Sequence, residues 1–157
     1  MKHTAPKRIL LASHGTRGAR AAEKVALSYC RPGVRLTHFI VVPDFWKGMM
    51  GDDWLNSGRT REIYGRYVEM QLEDEVRAHF RRLEKQVLAK RARYEPKLSF
   101  GKPAGCLITE LRAARVDLAV LGSLRPKREP GLRSRMLTDD VLRTSLAPLL
   151  IVPYPHG

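Results

Sequence analysis

Five short strand-like segments alternate with amphipathic helical patterns along this chain, and that alternation limits the fold it can adopt. Most of these segments are apolar, and glycine or proline bounds them. They are residues 7–15, 34–43, 94–101, 117–123 and 147–153. Apolar strands that alternate with helices form a parallel sheet with helices on both faces. Because crossovers between parallel strands are right-handed, the sequence predicts a doubly wound, Rossmann-like α/β fold.

The longest helical pattern covers residues from about 60 to 90 and carries one apolar stripe at spacings of three and four. Acidic residues cluster early in this segment and basic residues late, which complements the helix dipole. The basic end therefore has a structural explanation, and the stripe indicates core packing. The stripe consists of Tyr64, Val68, Leu72, Val76, Phe80, Leu83 and Val87.

The other helical patterns are shorter and have recognisable ends. One spans 15–30, with Ala22, Val25, Ala26 and Tyr29 predicted on its apolar face, and Arg-Pro-Gly ends it. Another begins at Pro103, a residue type suited to the first turn of a helix. The last covers 137–145, and either Thr138 or Ser134 is expected to cap it.

The chain has 157 residues, enough for one domain with a hydrophobic core, and we expect 1–157 to be that domain. Its 29 Lys and Arg residues against 16 Asp and Glu residues give a net charge of +13. This charge favours polyanionic partners, although a basic solvated surface explains it equally well. No nucleic-acid-binding motif is visible, so we expect nucleic acid to bind only non-specifically, through charge.

We expect a cytoplasmic protein, because the sequence shows no recognisable targeting signal and its cysteine usage fits a cytosolic protein. No apolar run reaches the roughly 18 residues of a membrane span, so no membrane partner is expected. The apolar run within 7–15 has no small-residue cleavage site after it, and we interpret it as a buried strand. Cys30 and Cys106 are far apart in sequence and are expected to be buried thiols of a cytosolic protein.

Residues 44–58 contain both tryptophans of the chain among glycine and aspartate turn residues. One interpretation is a loop folded onto the core by its own aromatic side chains. The other is a lid or a contact surface, because exposed aromatic side chains are costly unless they meet a partner. The sequence leaves both open.

Four stretches together resemble the universal stress protein family, and the resemblance covers nearly the whole chain. They are "RILLASHGT", "VRLTHFIVVP", "FGKPAGCLITELRAARVDLAVLGS" and "LTDDVLRTSLAPLLIVP". The resemblance implies a five-stranded parallel sheet in order 3-2-1-4-5, of the adenine nucleotide alpha hydrolase-like type. It also implies a role in the stress response and a homodimer paired through the terminal strand, Pro148 to Pro153. Many members of the family bind ATP, and others do not.

The motif with which ATP-binding members hold phosphate is largely replaced here. That motif has Gly, two residues, Gly, nine residues, then Gly and Ser or Thr. Counted from Gly122, these positions hold Arg125, Arg135 and Met136, so only the first glycine matches. Arginine blocks the close approach of phosphate to backbone N–H groups, yet its guanidinium can grip a phosphate with two hydrogen bonds. His14 stands where the ATP binders carry an aspartate near adenine.

These positions predict a pocket beyond the carboxyl ends of strands one and four, where ligands of doubly wound folds bind. We do not expect ATP in the usual family manner. ATP or another adenine nucleotide held by arginine side chains stays open as a ligand, and so does a different anion. The candidate ligand-binding residues are His14, Gly15, Thr16, Val41, Val42, Gly122, Ser123, Arg125, Arg135 and Met136.

The sequence has no nucleophile elbow, no Walker motif and no His-Glu-x-x-His motif. A regulatory or ligand-binding module is therefore expected, not a dedicated catalyst. Two alternatives stay open: a weak ATPase or metal-dependent activity centred on His14, and a non-specific polyanion binder. The remaining histidines are unpaired in sequence, and Ser13 points away from His14 if both lie on a strand.

Overall fold

A computed structural model describes residues 4–13, 17–42, 74, 76–124 and 136–155. Their secondary structure has the predicted alternating order. The tryptophan-containing segment 44–58 lies outside the described residues. The elements are β1 (Arg8–Ala12), α1 (Arg17–Ser28), β2 (Arg35–Val42), α2 (including 76–89), β3 (Arg93–Phe100), α3 (Pro103–Ala113), β4 (Leu118–Gly122), α4 (Asp139–Thr144) and β5 (Leu149–Val152).

The five strands form one parallel sheet in the order β3-β2-β1-β4-β5, which confirms the predicted fold. Arg8 of β1 pairs with Arg35 of β2, and Ile9 pairs with Leu118 of β4. β1 therefore lies at the centre, and β3 and β5 form the two edges.

Alternate residues of β1, β2 and β4 pack against different helices. On β1, Ile9 and Leu11 belong to a core with α1 and α2, whereas Leu10 belongs to a second core with α3 and α4. The crossover thus changes face between β3 and β4. As a result, two neighbouring strands, β1 and β4, continue into helices on opposite faces. Doubly wound folds bind their ligands beyond the carboxyl ends of the strands at such a point.

The described part of the long helical stripe is confirmed. Leu83 and Val87 are fully buried on α2, and Val76 and the partly buried Phe80 pack against Ile40. The first three residues of the stripe, Tyr64, Val68 and Leu72, lie outside the described residues.

The predicted helix starts are also found where the sequence puts them. Pro103 stands in the first turn of α3. At α4, Thr138 is the cap, because its side-chain oxygen accepts a hydrogen bond from the Val141 N–H. Asp139 and Asp140 occupy the first turn, where the helix dipole favours a negative charge.

Three details differ from expectation. Tyr29 is 37% exposed, because α1 ends at Ser28 and the ring falls outside the apolar face. That face instead buries Glu23 beside Ala22 and Ala26. Cys30 is buried, but Cys106 is only partly buried, because it lies in the first turns of α3 at the edge of the sheet. No helix in the described part of the chain is long and apolar enough to cross a bilayer.

Candidate functional site

The carboxyl ends of β1, β2 and β4 lie side by side at one edge of the sheet, where the helices change face. β1 ends at Ala12, and the backbone N–H of the next residue, Ser13, donates to the carbonyl of Phe39 on β2. β4 ends at Gly122, which pairs with Val152 of β5. The sequence predicted a ligand pocket at this edge.

Five of the predicted site residues belong to the described part of the chain. Val41 and Met136 are 2% and 1% exposed, and both pack in the core that Leu121 shares. The Ser123 N–H donates to the carbonyl of Val152, so β5 occupies that donor. Gly122 and Val42 are the last residues of their strands, β4 and β2.

The other five predicted residues lie outside the described residues. They are His14, Gly15, Thr16, Arg125 and Arg135. The structure therefore brings the carboxyl ends of β1, β2 and β4 together, while the geometry of the arginines and of His14 stays a prediction. Among the described residues, no group of His, Cys, Asp or Glu side chains is arranged to hold a metal ion.

A buried polar network underlies this edge of the sheet. The Ser13 hydroxyl donates to Glu23 Oε1 on α1 at 3.0 Å. Glu23 Oε2 forms an ion pair with Arg82 Nη2 on α2 at 2.9 Å, and the Glu23 side chain is only 3% exposed. The network joins the end of β1 to both helices on that face. It therefore fixes the point at which the chain leaves β1 for the predicted pocket.

A second buried polar group, His38, lies on the same face. His38 is fully buried, and its Nδ1 is 2.9 Å from the hydroxyl of Tyr94 on β3. The ring of Phe80 meets it edge to face, with centroids 5.2 Å apart. Within the described structure, His38 Nε2 has no hydrogen-bond partner. Burial, together with the nearby His79 and Arg82, lowers the pKa of His38 to about 3.

Sequence reasoning missed Glu23 and His38, although a signal for each was present. His38 alternates with Leu36 and Ile40 on a predicted strand, so all three share one buried face. Glu23 follows Ala22 and lies three residues before Ala26, both of which face the core. A polar residue at a core-facing position indicates a buried partner, but sequence spacing does not identify that partner.

A cleft of about 320 Å³ opens at the same edge of the sheet, beside the ends of β2 and β3. Lys102, exposed before α3, is the cation on its wall. Glu110 also lines the cleft, and its carboxylate is paired with Lys97 at 2.7 Å. Its remaining walls are Phe39, Ser99, Phe100, Gly101, Gly105, Cys106 and Thr109. Sequence reasoning did not identify this cleft.

No protein-family model matches the chain, and no curated protein sequence matches it either. Solved structures do match. A universal stress protein from Lactobacillus plantarum has a TM-score of 0.68 at 16% identity, covering 96% of this chain and 99% of that chain. A member from Burkholderia pseudomallei has a TM-score of 0.65 at 18% identity, covering 97% and 99%.

A universal stress protein family member from Arabidopsis thaliana, solved with AMP bound, also matches. Its TM-score is 0.60 at 12% identity, and the match covers 96% of this chain and 93% of that chain. The similarity extends over nearly the full length of each chain, and strand order, direction and crossovers agree with the predicted architecture. This chain therefore has the fold of the universal stress protein family.

Proposed function

We propose that this protein is a universal-stress-protein-like regulatory module of the cytoplasm that binds a nucleotide or another small anion as a homodimer. The observation that carries the proposal is the switch in strand order at β1 and β4, whose following helices lie on opposite faces of the sheet. Among proteins of the same fold, one is solved with AMP and another, at a TM-score of 0.59, with cAMP.

In this proposal the pocket is a modified form of the nucleotide site. Val41 and Val42 at the end of β2 offer backbone groups to a base, which a change of side chain leaves intact. Gly122 gives close access at the end of β4, while Arg125 and Arg135 take over phosphate binding from backbone N–H groups. The remaining walls are His14, Gly15, Thr16, Ser123 and Met136.

The engaged Ser123 N–H supports this change of phosphate ligands. A backbone donor that already completes the β4–β5 ladder is not available to a phosphate oxygen. The side chain of Met136 is fully buried and has no polar hydrogen to donate. Arginine side chains can supply the donors that these two positions do not offer, since a guanidinium has up to five N–H groups in a planar arrangement.

Replacing Arg125 and Arg135 together by Ala is expected to weaken AMP, cAMP or ATP binding at least tenfold. The reason is that a charge-assisted hydrogen bond is worth about 1.5 kcal/mol or more. Isothermal titration calorimetry measures the change. The control variant, Arg112→Ala with Arg115→Ala, removes the same charge from exposed positions near the amino ends of the strands. It should leave the affinity unchanged. If wild type binds none of the three nucleotides, the nucleotide form of the proposal is wrong.

The homodimer is proposed to pair through β5, an edge strand with one unpaired side. Exposed apolar residues accompany it: Leu142 at 51%, Leu146 at 74% and Ile151 at 37%. The opposite edge strand, β3, also exposes apolar residues but contains Pro96, which cannot donate to a ladder. β5 has no proline, so its edge is the better template for a second chain.

The double change Leu146→Glu with Ile151→Lys is expected to convert the dimer to monomers, since it places charges at an apolar edge. Light scattering after size-exclusion chromatography, or native mass spectrometry, reports the mass. Leu98→Lys is the matched control, because Leu98 is 40% exposed on the other edge strand. A wild-type protein that is monomeric at about 50 μM, well above the μM range of ordinary association, would rule out a stable dimer.

A further inference from the structure

The amino edge of the sheet carries a row of arginines on three neighbouring strands. Arg8 of β1 pairs in register with Arg35 of β2, and Arg35 pairs with Arg93 of β3. Parallel strands lie about 4.8 Å apart, and in-register residues point to the same face. All three arginines are exposed. We call these three residues the arginine row; it lies on the face that α3 covers further along the strands.

Such a row is unfavourable unless something else compensates it, because like charges directly opposite one another on a sheet repel. The compensation within the described structure is weak. Arg35 meets Glu95 at 3.9 Å, with both side chains nearly half exposed, and Glu95 is shared with Lys97. Arg8 and Arg93 form no ion pair with any described residue. The row is therefore a concentrated, solvent-facing source of positive charge.

A cleft of about 860 Å³ opens at the same amino edge of the sheet, beside the starts of β1, β4 and β5. It includes Tyr29, which follows α1, whereas the row lies on the α3 face. Lys7 lines this cleft and directly precedes Arg8, so the two features meet. Tyr29, which is 37% exposed, forms part of the wall and presents an aromatic ring. The remaining walls are Thr4, Ala5, Pro6, Val116, Asp117, Leu118 and Pro148.

Asp117, the one acid of that wall, compensates these cations only in part: hydrogen bonds from backbone N–H groups lower the pKa of its carboxyl, and the charges of Arg8 and Arg115 add to the effect. Its carboxylate accepts hydrogen bonds from the backbone N–H groups of Lys7 and Arg8, at 3.0 and 2.9 Å. Asp117 therefore anchors the start of β1 through the backbone. Its carboxylate forms these hydrogen bonds with the backbone of Lys7 and Arg8, not with their side chains.

We propose that this edge binds single-stranded nucleic acid, with phosphates on the arginine row and a base against Tyr29 in the cleft. A cationic track combined with an aromatic ring is what unpaired strands use, since every base has a face that can stack. A strand that contacts both passes around the amino edge of the sheet at β1, from the α3 face to Tyr29 after α1. A duplex keeps its bases stacked inside and would leave the cleft unused. The surface lies at the opposite end of the strands from the proposed nucleotide pocket, so it does not depend on that pocket.

The test compares two triple variants of the full-length chain by fluorescence anisotropy. The probe is a labelled oligothymidylate of about 15 nucleotides, within the range of known single-strand sites. Arg8→Gln, Arg35→Gln and Arg93→Gln together are expected to weaken binding at least tenfold. They should also lower the slope of log K against log salt by about two, at roughly 0.7 per phosphate contact.

The control removes the same charge from another row. Arg77, Arg81 and Lys85 are exposed and lie four residues apart on α2, so their triple change to Gln matches the first in number and alignment. It is expected to change affinity less than threefold. Equal losses in both triple variants, or an unchanged salt slope in the first, would show that binding is general charge attraction and would overturn the proposal.

Substitutions of Tyr29 test the stacking contact separately from charge, because they leave the net charge of the protein unchanged. Tyr29→Ala is expected to weaken oligothymidylate binding at least fivefold, whereas Tyr29→Phe keeps the stacking face and should bind as wild type does. Binding of a duplex of the same length should be unaffected by either change and weaker than that of the single strand. Tighter binding of the duplex, or equal effects of Ala and Phe, would contradict the stacking role.

Discussion

Lowering the pH from 6.5 toward 3 is expected to cost this protein about 1.4 kcal/mol of folding free energy per pH unit through His38. Burial, assisted by the charges of His79 and Arg82, lowers the pKa of His38 from 6.5 to about 3. Between these two values the unfolded chain binds a proton that the folded chain does not. Stability from this residue is therefore fully present above pH 6.5 and is lost as the pH falls to about 3.

The surroundings of His38 explain why the folded protein excludes the proton. Tyr94 and the ring of Phe80 contact the imidazole, and neither carries a negative charge to stabilise an imidazolium. Burial also raises the pKa of the Tyr94 phenol, with Glu84 and Glu23 adding to the effect, so Tyr94 stays neutral. Arg82 of α2 adds a positive charge on the same side. The neighbours of His38 named here therefore all favour its neutral form.

Urea unfolding at pH 7.5 and pH 5 measures this effect. His38→Phe combined with Tyr94→Phe removes the titrating group without leaving a phenol unpaired. At pH 5 we expect wild type to have lost about 2 kcal/mol more than this variant, relative to pH 7.5. Other groups titrate in both chains, so the difference isolates His38. Equal losses in the two proteins would contradict a neutral, buried His38.

Arg82→Met is expected to destabilise the fold by about 3 kcal/mol, the lower end for breaking a buried ion pair. Glu23 is 3% exposed and would be left as a buried carboxylate with Ser13 as its remaining hydrogen-bond partner among the described contacts. Arg82 is 40% exposed, so removing the charge of Glu23 instead of Arg82 should destabilise the fold less. After Glu23→Gln, the guanidinium can reach water, and we expect a loss of about 1 kcal/mol.

Thermal and urea unfolding of the single and double variants separate these contributions. Arg82→Met should lower the melting temperature by about 6–12 °C, at roughly 2–4 °C per kcal/mol. Adding Glu23→Leu should recover most of that loss, because an apolar pair replaces a lone charge. Arg81→Met, an exposed neighbour on α2, should stay within about 0.5 kcal/mol of wild type. An Arg82→Met loss below 1 kcal/mol would mean that water already reaches Glu23.

The hydrogen-bonded network of Ser13, Glu23 and Arg82 also connects folding stability to the proposed pocket. Ser13 immediately precedes residues 14–16, which the sequence assigns to the pocket wall, and its hydroxyl is held by Glu23. Loss of Arg82 should therefore weaken ligand binding as well as folding, although neither Arg82 nor Glu23 is proposed to contact the ligand.

Sequence reasoning reached the fold because the relevant signals are local. Alternating residues such as Ile9, Leu10 and Leu11 give a strand with two buried faces, and Pro103 and Thr138 fix where two helices begin. The resemblance to the universal stress protein family supplied the strand order, which structural comparison confirms at the level of fold. The predicted pocket is less fully accounted for, since its two arginines and His14 lie outside the described residues.

By itself, the sequence determined which segments are strands and helices and which of their faces are apolar. Hydrophobic periodicity and residue chemistry are properties of neighbours along the chain, so no tertiary contact is needed to find them. Only the tertiary structure brought Glu23 to Arg82 and His38 to Tyr94, and set Arg8, Arg35 and Arg93 in one row. Glu23 and Arg82 are 59 residues apart in sequence, so strand register and helix placement, not spacing, decide which charges meet.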